Sequence, residues 1–115
     1  MSHLNKKDIM AVNAQFGESY FENESSLEYA LSYFKQNIAW TRQVAYVLRA
    51  ILIDHVFGDG NKRTAYFVLI WHVRNNGYEI DQKRALDIIK RIVLHRRPSI
   101  VHIRRLLENA IAKRD

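Results

Sequence analysis

Cysteine is absent from this chain of 115 residues, which excludes disulfides and thiolate zinc sites and fits a reducing cytoplasm. Proline occurs once and glycine four times, too few breaking residues for a fold of many short strands and turns. No apolar run approaches the roughly 18 residues of a membrane span. The segment from Met1 to Lys7 has none of the apolar core of a secretory signal, so a membrane partner is not expected. Internal repeats, linkers and low-complexity tracts are also missing. What remains is 48% apolar residues, enough to bury one modest core. A single domain over 1–115 is expected.

Charge is unevenly placed along the chain. Eighteen Lys and Arg against twelve Asp and Glu leave a net +6. Residues 1–39 carry Glu18, Glu22, Glu24 and Glu28, whereas basic residues crowd from Lys83 onward: Lys83, Arg84, Lys90, Arg91, Arg96, Arg97, Arg104, Arg105, Lys113 and Arg114. Such a face can meet nucleic acid or an acidic partner protein. The preferred reading is plainer, the solvated sides of amphipathic helices, and nucleic acid is not expected as a partner.

Periodicity predicts an all-α domain of about six helices. The first spans 5–16, capped by Asn5 with Asp8 in its first turn and stopped by Gly17; Ile9, Val12 and Phe16 share a face. Residues 17–24, including Tyr20 and Phe21, read as irregular, with room for a short β-hairpin. The second helix starts at Ser25, where Ser25 and Glu28 have capping-box spacing; it buries Leu27, Ala30, Leu31 and Phe34 and runs to 36. The third spans 38–55, with Val44, Val47, Leu48, Ile51 and Ile53 as core, and delivers His55. The fourth spans 61–76, closed by Gly77 as C′ residue, with Phe67, Leu69, Ile70 and Val73 inward. His72 on that helix reads as structural. Tyr78-Glu79-Ile80 is an extended link. Asp81 caps the fifth helix, which carries Leu86, Ile88, Ile89, Ile92 and Val93 and ends at His95-Arg96-Arg97-Pro98. Ser99 caps the sixth, striped by Ile100, Ile103, Leu106, Leu107 and Ile111.

Between the third and fourth helices lies His55-Val56-Phe57-Gly58-Asp59-Gly60-Asn61-Lys62-Arg63-Thr64-Ala65. Gly58 and Gly60 allow backbone conformations closed to other residues. A turn that feeds a helix at Asn61 aims unpaired N–H groups outward, and helix N-termini bind phosphate. Lys62 and Arg63 add full positive charge there. Asp59 is the one hard oxygen ligand of the loop, suited to Mg²⁺ shared with phosphates. His55 is a base that can take a proton near neutral pH. Base, anion cradle and metal ligand together suggest phosphate transfer. Read without chemistry, the same residues make a turn and a solvated helix start.

The stretch resembles the signature of the Fic/Doc family, His-x-Phe-x-Asp/Glu-Gly-Asn-Gly-Arg-x-x-Arg. The match falls at His55, Phe57, Asp59, Gly60, Asn61 and Arg63. Lys62 stands where most Fic proteins have a second Gly, and Tyr66 where they have a second Arg. Both departures are similar to the Doc branch, whose Asn-Lys-Arg-Thr-Ala is matched letter for letter by residues 61–65. Arg74-Asn75-Asn76-Gly77-Tyr78 also resembles the Doc pattern downstream.

That resemblance implies the following. ATP and Mg²⁺ would be the cofactors. His55 would take the proton of a hydroxyl on a target protein, Asp59 would hold Mg²⁺, and Gly58, Gly60, Asn61, Lys62 and Arg63 would bind the phosphates, with Lys62 and Arg63 also stabilising the transition state. Phe57 would anchor the loop in the core, and the 17–24 segment would serve as the flap that docks the target. Lys62 crowds the backbone and implies a reversed nucleotide, hence transfer of the terminal phosphate, as in Doc-type kinases. Glycine there implies AMP transfer (AMPylation), the alternative enzymatic reading. The Doc branch implies a cytoplasmic toxin that halts translation by modifying a threonine of elongation factor Tu, with an antitoxin covering the site. Self-inhibited family members carry Ser/Thr-x-x-x-Glu-Gly/Asn; here Arg104 stands four residues before Glu108-Asn109, so inhibition in trans is expected. Outside the enzymatic readings stands a silent basic binding module.

Overall fold

The described residues form six α-helices and one short antiparallel strand pair, as the all-α reading requires. The structure, a computed structural model, describes residues 3–17 and 19–115. Helix α1 runs Lys6–Ala14. Its cap is reciprocal: the Asn5 side chain accepts the Asp8 N–H at 2.8 Å, and the Asp8 carboxylate accepts the Asn5 N–H at 2.9 Å, which satisfies two orphan donors.

Helix α2, Glu24–Ser32, begins earlier than the Ser25–Glu28 spacing predicts, with Asn23 as its N-cap. Long-range bonds decide the start. The N–H groups of Glu22 and Asn23 donate to the Val56 carbonyl at 2.9 and 3.1 Å, and the Asn23 amide donates to the Asp54 carbonyl at 3.1 Å. Glu28 is drawn instead to Lys6, which also binds Glu24. The helix tightens into a 3-10 turn over Tyr33–Lys35. There the Gln43 amide donates to the Tyr33 and Gln36 carbonyls at 3.2 and 3.1 Å.

Helix α3, Trp40–Leu52, is the centre of the fold. Eight of its thirteen residues are buried, and it packs against α2 and three later helices. These are α4 (Asn61–Asn75), α5 (Gln82–Leu94) and α6 (Ile100–Ala110). Asp81 and Ser99 cap α5 and α6 as expected, accepting N–H groups of Arg84 and His102 at 2.8 and 3.1 Å. One buried cluster joins all six helices, with Ile9, Leu27, Leu48, Ile51, Leu69, Ile92, Ile103 and Leu107 fully enclosed. No helix among the described residues is long and apolar enough to cross a membrane.

Strand β1 (Tyr78–Glu79) pairs antiparallel with β2 (Ala112–Lys113), Tyr78 opposite Lys113. This sheet is not the hairpin expected at 17–24. Among the described residues of that segment the only strand-type pairing is the bridge of Phe21 to Phe57; Glu18 lies outside the described residues. The backbone of the segment pairs with the central loop rather than with itself.

Two residues assigned to the core lie elsewhere. Phe67 is 40% exposed and Leu86 50% exposed, because both line an open cavity between α4 and α5. His72 is enclosed, as its structural reading requires. The Leu4 N–H donates to its Nε2 at 3.4 Å, so Nδ1 carries the proton and donates to the Val68 carbonyl at 2.8 Å. Burial, partly opposed by that second bond, pushes His72 down to about 4.

Candidate active site

The predicted third helix stops short of its histidine. Helix α3 ends at Leu52, and Ile53 is its cap. The chain then leaves helical geometry because Asn23 and the N–H groups of Glu22 and Asn23 capture the Asp54 and Val56 carbonyls. Ser26 adds a short hydroxyl bond to the Asp54 carboxylate. His55 itself sits at φ 54°, in the left-handed region, at a cost of order 1 kcal/mol for a residue with a Cβ. It is exposed, and its ring makes no hydrogen bond among the described residues.

Past His55 the loop is held from three sides. Phe57 is 1% exposed and stacks on Phe21 at 5.2 Å, so the expected inward anchor is present. The Asn61 side chain closes the loop on itself: it accepts the Phe57 N–H at 3.1 Å and donates to the Phe57 carbonyl at 2.7 Å. From α1, the Asn13 amide donates to the Asp59 carbonyl at 2.8 Å and to Thr64 Oγ1 at 3.1 Å. Gly60 takes φ 73° as the N-cap of α4, which is where the loop needs glycine.

Tyr20 lies over Gly58. A Cβ at Gly58 would sit 2.0 Å from the phenol ring, and the Gly58 N–H donates to the Tyr20 carbonyl at 3.2 Å.

The start of α4 is left open. Among the described residues no side chain caps it, and the first bond the helix makes is from the Thr64 N–H to the Gly60 carbonyl at 3.0 Å. The N–H groups of Asn61, Lys62 and Arg63 therefore have no acceptor within the helix. They form the positive end of the helix dipole, where an anion is favoured. The Arg63 guanidinium lies 5.9 Å from the centre of the Phe16 ring and has no carboxylate partner among the described residues.

A cavity of about 570 Å³ brings these groups together. His55, Gly58, Asp59, Gly60, Asn61, Lys62 and Arg63 all line it, with Phe16, Leu52 and Val93 as apolar walls. Every residue the sequence nominated is thus at one place. A second, more apolar cavity of about 710 Å³ shares Phe16, Lys62, Arg63 and Val93 with the first and continues along α4 and α5 past Tyr66, Phe67, Leu86, Ile89, Lys90 and Leu94.

Among the described residues, Asp59 is the only carboxylate on these walls. Its Oδ1 accepts the Gly60 N–H at 2.8 Å, and Gly17 leaves room beside Oδ2, where a Cβ would come within 2.9 Å. Among the described residues no three His, Asp or Glu side chains gather to hold a metal. One accessible carboxylate oxygen fits Mg²⁺ only in the shared form, in which substrate phosphates and water supply the remaining ligands.

Glu108 is tied elsewhere. Its carboxylate accepts from Thr41 at 2.6 Å and from Arg104 at 2.8 Å, and those bonds hold its pKa below the usual carboxylate range. It lines neither cavity.

Asn13 is not singled out in the sequence, and Phe16 reads there only as part of the apolar face of the first helix. A signal existed for the first: Asn13 stands four residues after Ile9, where the apolar face of α1 calls for a hydrophobic side chain. Comparison with known proteins gave neither a matching family model nor a matching curated protein.

Proposed function

We propose that this chain is a Doc-type member of the Fic/Doc family, transferring the terminal phosphate of ATP to a hydroxyl of a target protein. The observation that carries the reading is the joint cavity: among the described residues, one exposed histidine, one accessible carboxylate, two cations and three N–H groups without an acceptor line or border a single space. That set is what in-line phosphoryl transfer asks of a protein, which supplies positioning and charge more than covalent chemistry.

In this mechanism His55 accepts the proton of the acceptor hydroxyl as its oxygen attacks the terminal phosphorus. The bond from that phosphorus to the bridging oxygen breaks, and ADP leaves with the bond's electron pair. The α4 N–H groups, Lys62 and Arg63 hold the phosphate oxygens as negative charge shifts toward the leaving group. Asn61 keeps the loop closed through Phe57. Mg²⁺, when bound by Asp59 and the phosphates, neutralises charge on them.

The Tyr20–Phe21 segment borders the His55 loop and would receive the target, a threonine of elongation factor Tu by the Doc resemblance. An antitoxin would cover the apolar cavity, whose open face exposes Phe67, Leu86 and Leu94. Inhibition in trans agrees with Glu108 being occupied by Thr41 and Arg104.

The test is incubation with Mg²⁺, cytosolic extract and ATP labelled at either the γ- or the α-phosphate. Label from γ alone, lost in His55→Ala, is the expected result. Label from α would replace phosphorylation with AMP transfer. Label from neither would refute both and favour a binding module, whose gel shift should fall with salt and survive His55→Ala.

A further inference from the structure

Asn13 is 1% exposed, and its Oδ1 has no hydrogen-bond partner among the described residues. A buried amide with an orphan acceptor destabilises a fold, and a leucine would suit this apolar face of α1. The side chain's other end accounts for its presence. Nδ2 donates to the Asp59 carbonyl at 2.8 Å and to Thr64 Oγ1 at 3.1 Å. The Thr64 hydroxyl passes the chain on, donating to the Gly60 carbonyl at 2.8 Å. The reversed amide would set Oδ1 against the Asp59 carbonyl, so this orientation is fixed.

One side chain from α1 thus grips the loop before α4 at Asp59 and the first turn of α4 at Thr64. Asn13 also lies against Gly60, where a Cβ would come within 3.1 Å of Nδ2. We infer that Asn13 is the positioning residue of the anion cradle. By holding the Asp59 carbonyl inward it fixes the turn at Gly60, and with it the outward aim of the N–H groups of Asn61, Lys62 and Arg63. It touches no substrate and acts through the loop. The inference rests on the reading of that loop as a phosphate site.

The test compares wild type with Asn13→Leu, which keeps the branched shape and heavy-atom count and removes the donors, and Thr64→Val, which removes one branch of the grip. Three readings are taken: thermal melting, amide hydrogen exchange at Gly60 and Thr64, and affinity for ATP with Mg²⁺ by calorimetry. Asn13→Leu should remain folded, bind ATP about tenfold more weakly and exchange faster at both amides, while exchange in the α3 core stays as in wild type; one lost hydrogen bond to a part-buried partner is of that order. Thr64→Val should show the same pattern at about threefold. A folded Asn13→Leu with wild-type affinity and wild-type exchange at the two amides overturns the inference. If Asn13→Leu does not fold, Thr64→Val decides alone, and unchanged affinity and exchange there overturn it. If wild type itself binds no ATP, the phosphate-site reading has failed, and exchange at Gly60 and Thr64 still decides whether Asn13 holds the loop.

Discussion

Lowering the pH should weaken this fold, and His72 carries a large part of that loss. Its ring is enclosed in α4, beside Phe34 at 5.6 Å and edge-on to Trp71 at 5.0 Å. Burial is the main cause that pushes it down to about 4 from an ordinary 6.5; the bond to Val68 works the other way, and nearby His3 adds to the lowering. The sign follows from proton linkage. Below pH 6.5 the unfolded chain takes up a proton that the folded ring refuses until about pH 4, so stability falls through that window and levels beneath it. A gap of about two and a half pKa units corresponds to about 3 kcal/mol, a large share of the 5–15 kcal/mol typical of a domain. Urea unfolding of wild type and His72→Gln at steps from pH 7.5 to 3.5 isolates this contribution. Titrating groups that do not interact with His72, Glu108 among them, act in both proteins and cancel in the difference, and His3→Gln in both backgrounds removes the one that does. The difference should be constant above pH 7 and shrink by about 3 kcal/mol between pH 6.5 and 4. Parallel curves for the two proteins would refute the argument, as would an NMR titration of His72 with a midpoint above 6.

Other perturbations separate the parts of the loop. Phe57→Ala should cost about 3–5 kcal/mol, measured by denaturant unfolding, because a fully buried ring stacked on Phe21 is replaced by a void. Gly60→Ala should cost about 1–2 kcal/mol from its left-handed backbone alone and press on Asn13, whereas Gly58→Ala meets only the movable tip of Tyr20 and should leave the melting temperature within a few degrees. Equal losses from the two alanines would contradict that distinction. Asp81→Ala and Ser99→Ala should each lower stability by about 1 kcal/mol, the value of an N-cap; circular dichroism melts would show it.

Local chemistry was readable in the sequence wherever it stayed local. The caps at Asn5, Asp81 and Ser99 depend on residues three positions apart, and all three form. The Ser25–Glu28 box has the right spacing and still loses, because Asn23 is claimed by carbonyls more than thirty residues away. The residues around Gly60 were legible because turn, helix start and charge are contiguous. Their support was not: Asn13 reaches Asp59 across 46 positions, and Phe16 meets Arg63 only once the helices pack. Phe67 and Leu86 carried the right period for burial, but a period cannot say whether the facing helix closes on a residue or leaves a gap.

The pairing of β1 with β2 ties residues 112–113 to the C-terminal end of α4. Beyond Lys113, the Arg114 N–H donates to the Gly77 carbonyl at 2.9 Å and its guanidinium to the Arg74 carbonyl at 3.2 Å. Both acceptors lie at the C-terminal end of α4, whereas the phosphate cradle opens at its start. Fifteen helical residues separate the two ends, about 22 Å of rise. A fluorophore or surface linkage carried on the side chain of Lys113 would therefore sit at the far end of α4 from the cradle, suited to titrating ligands on an immobilised protein.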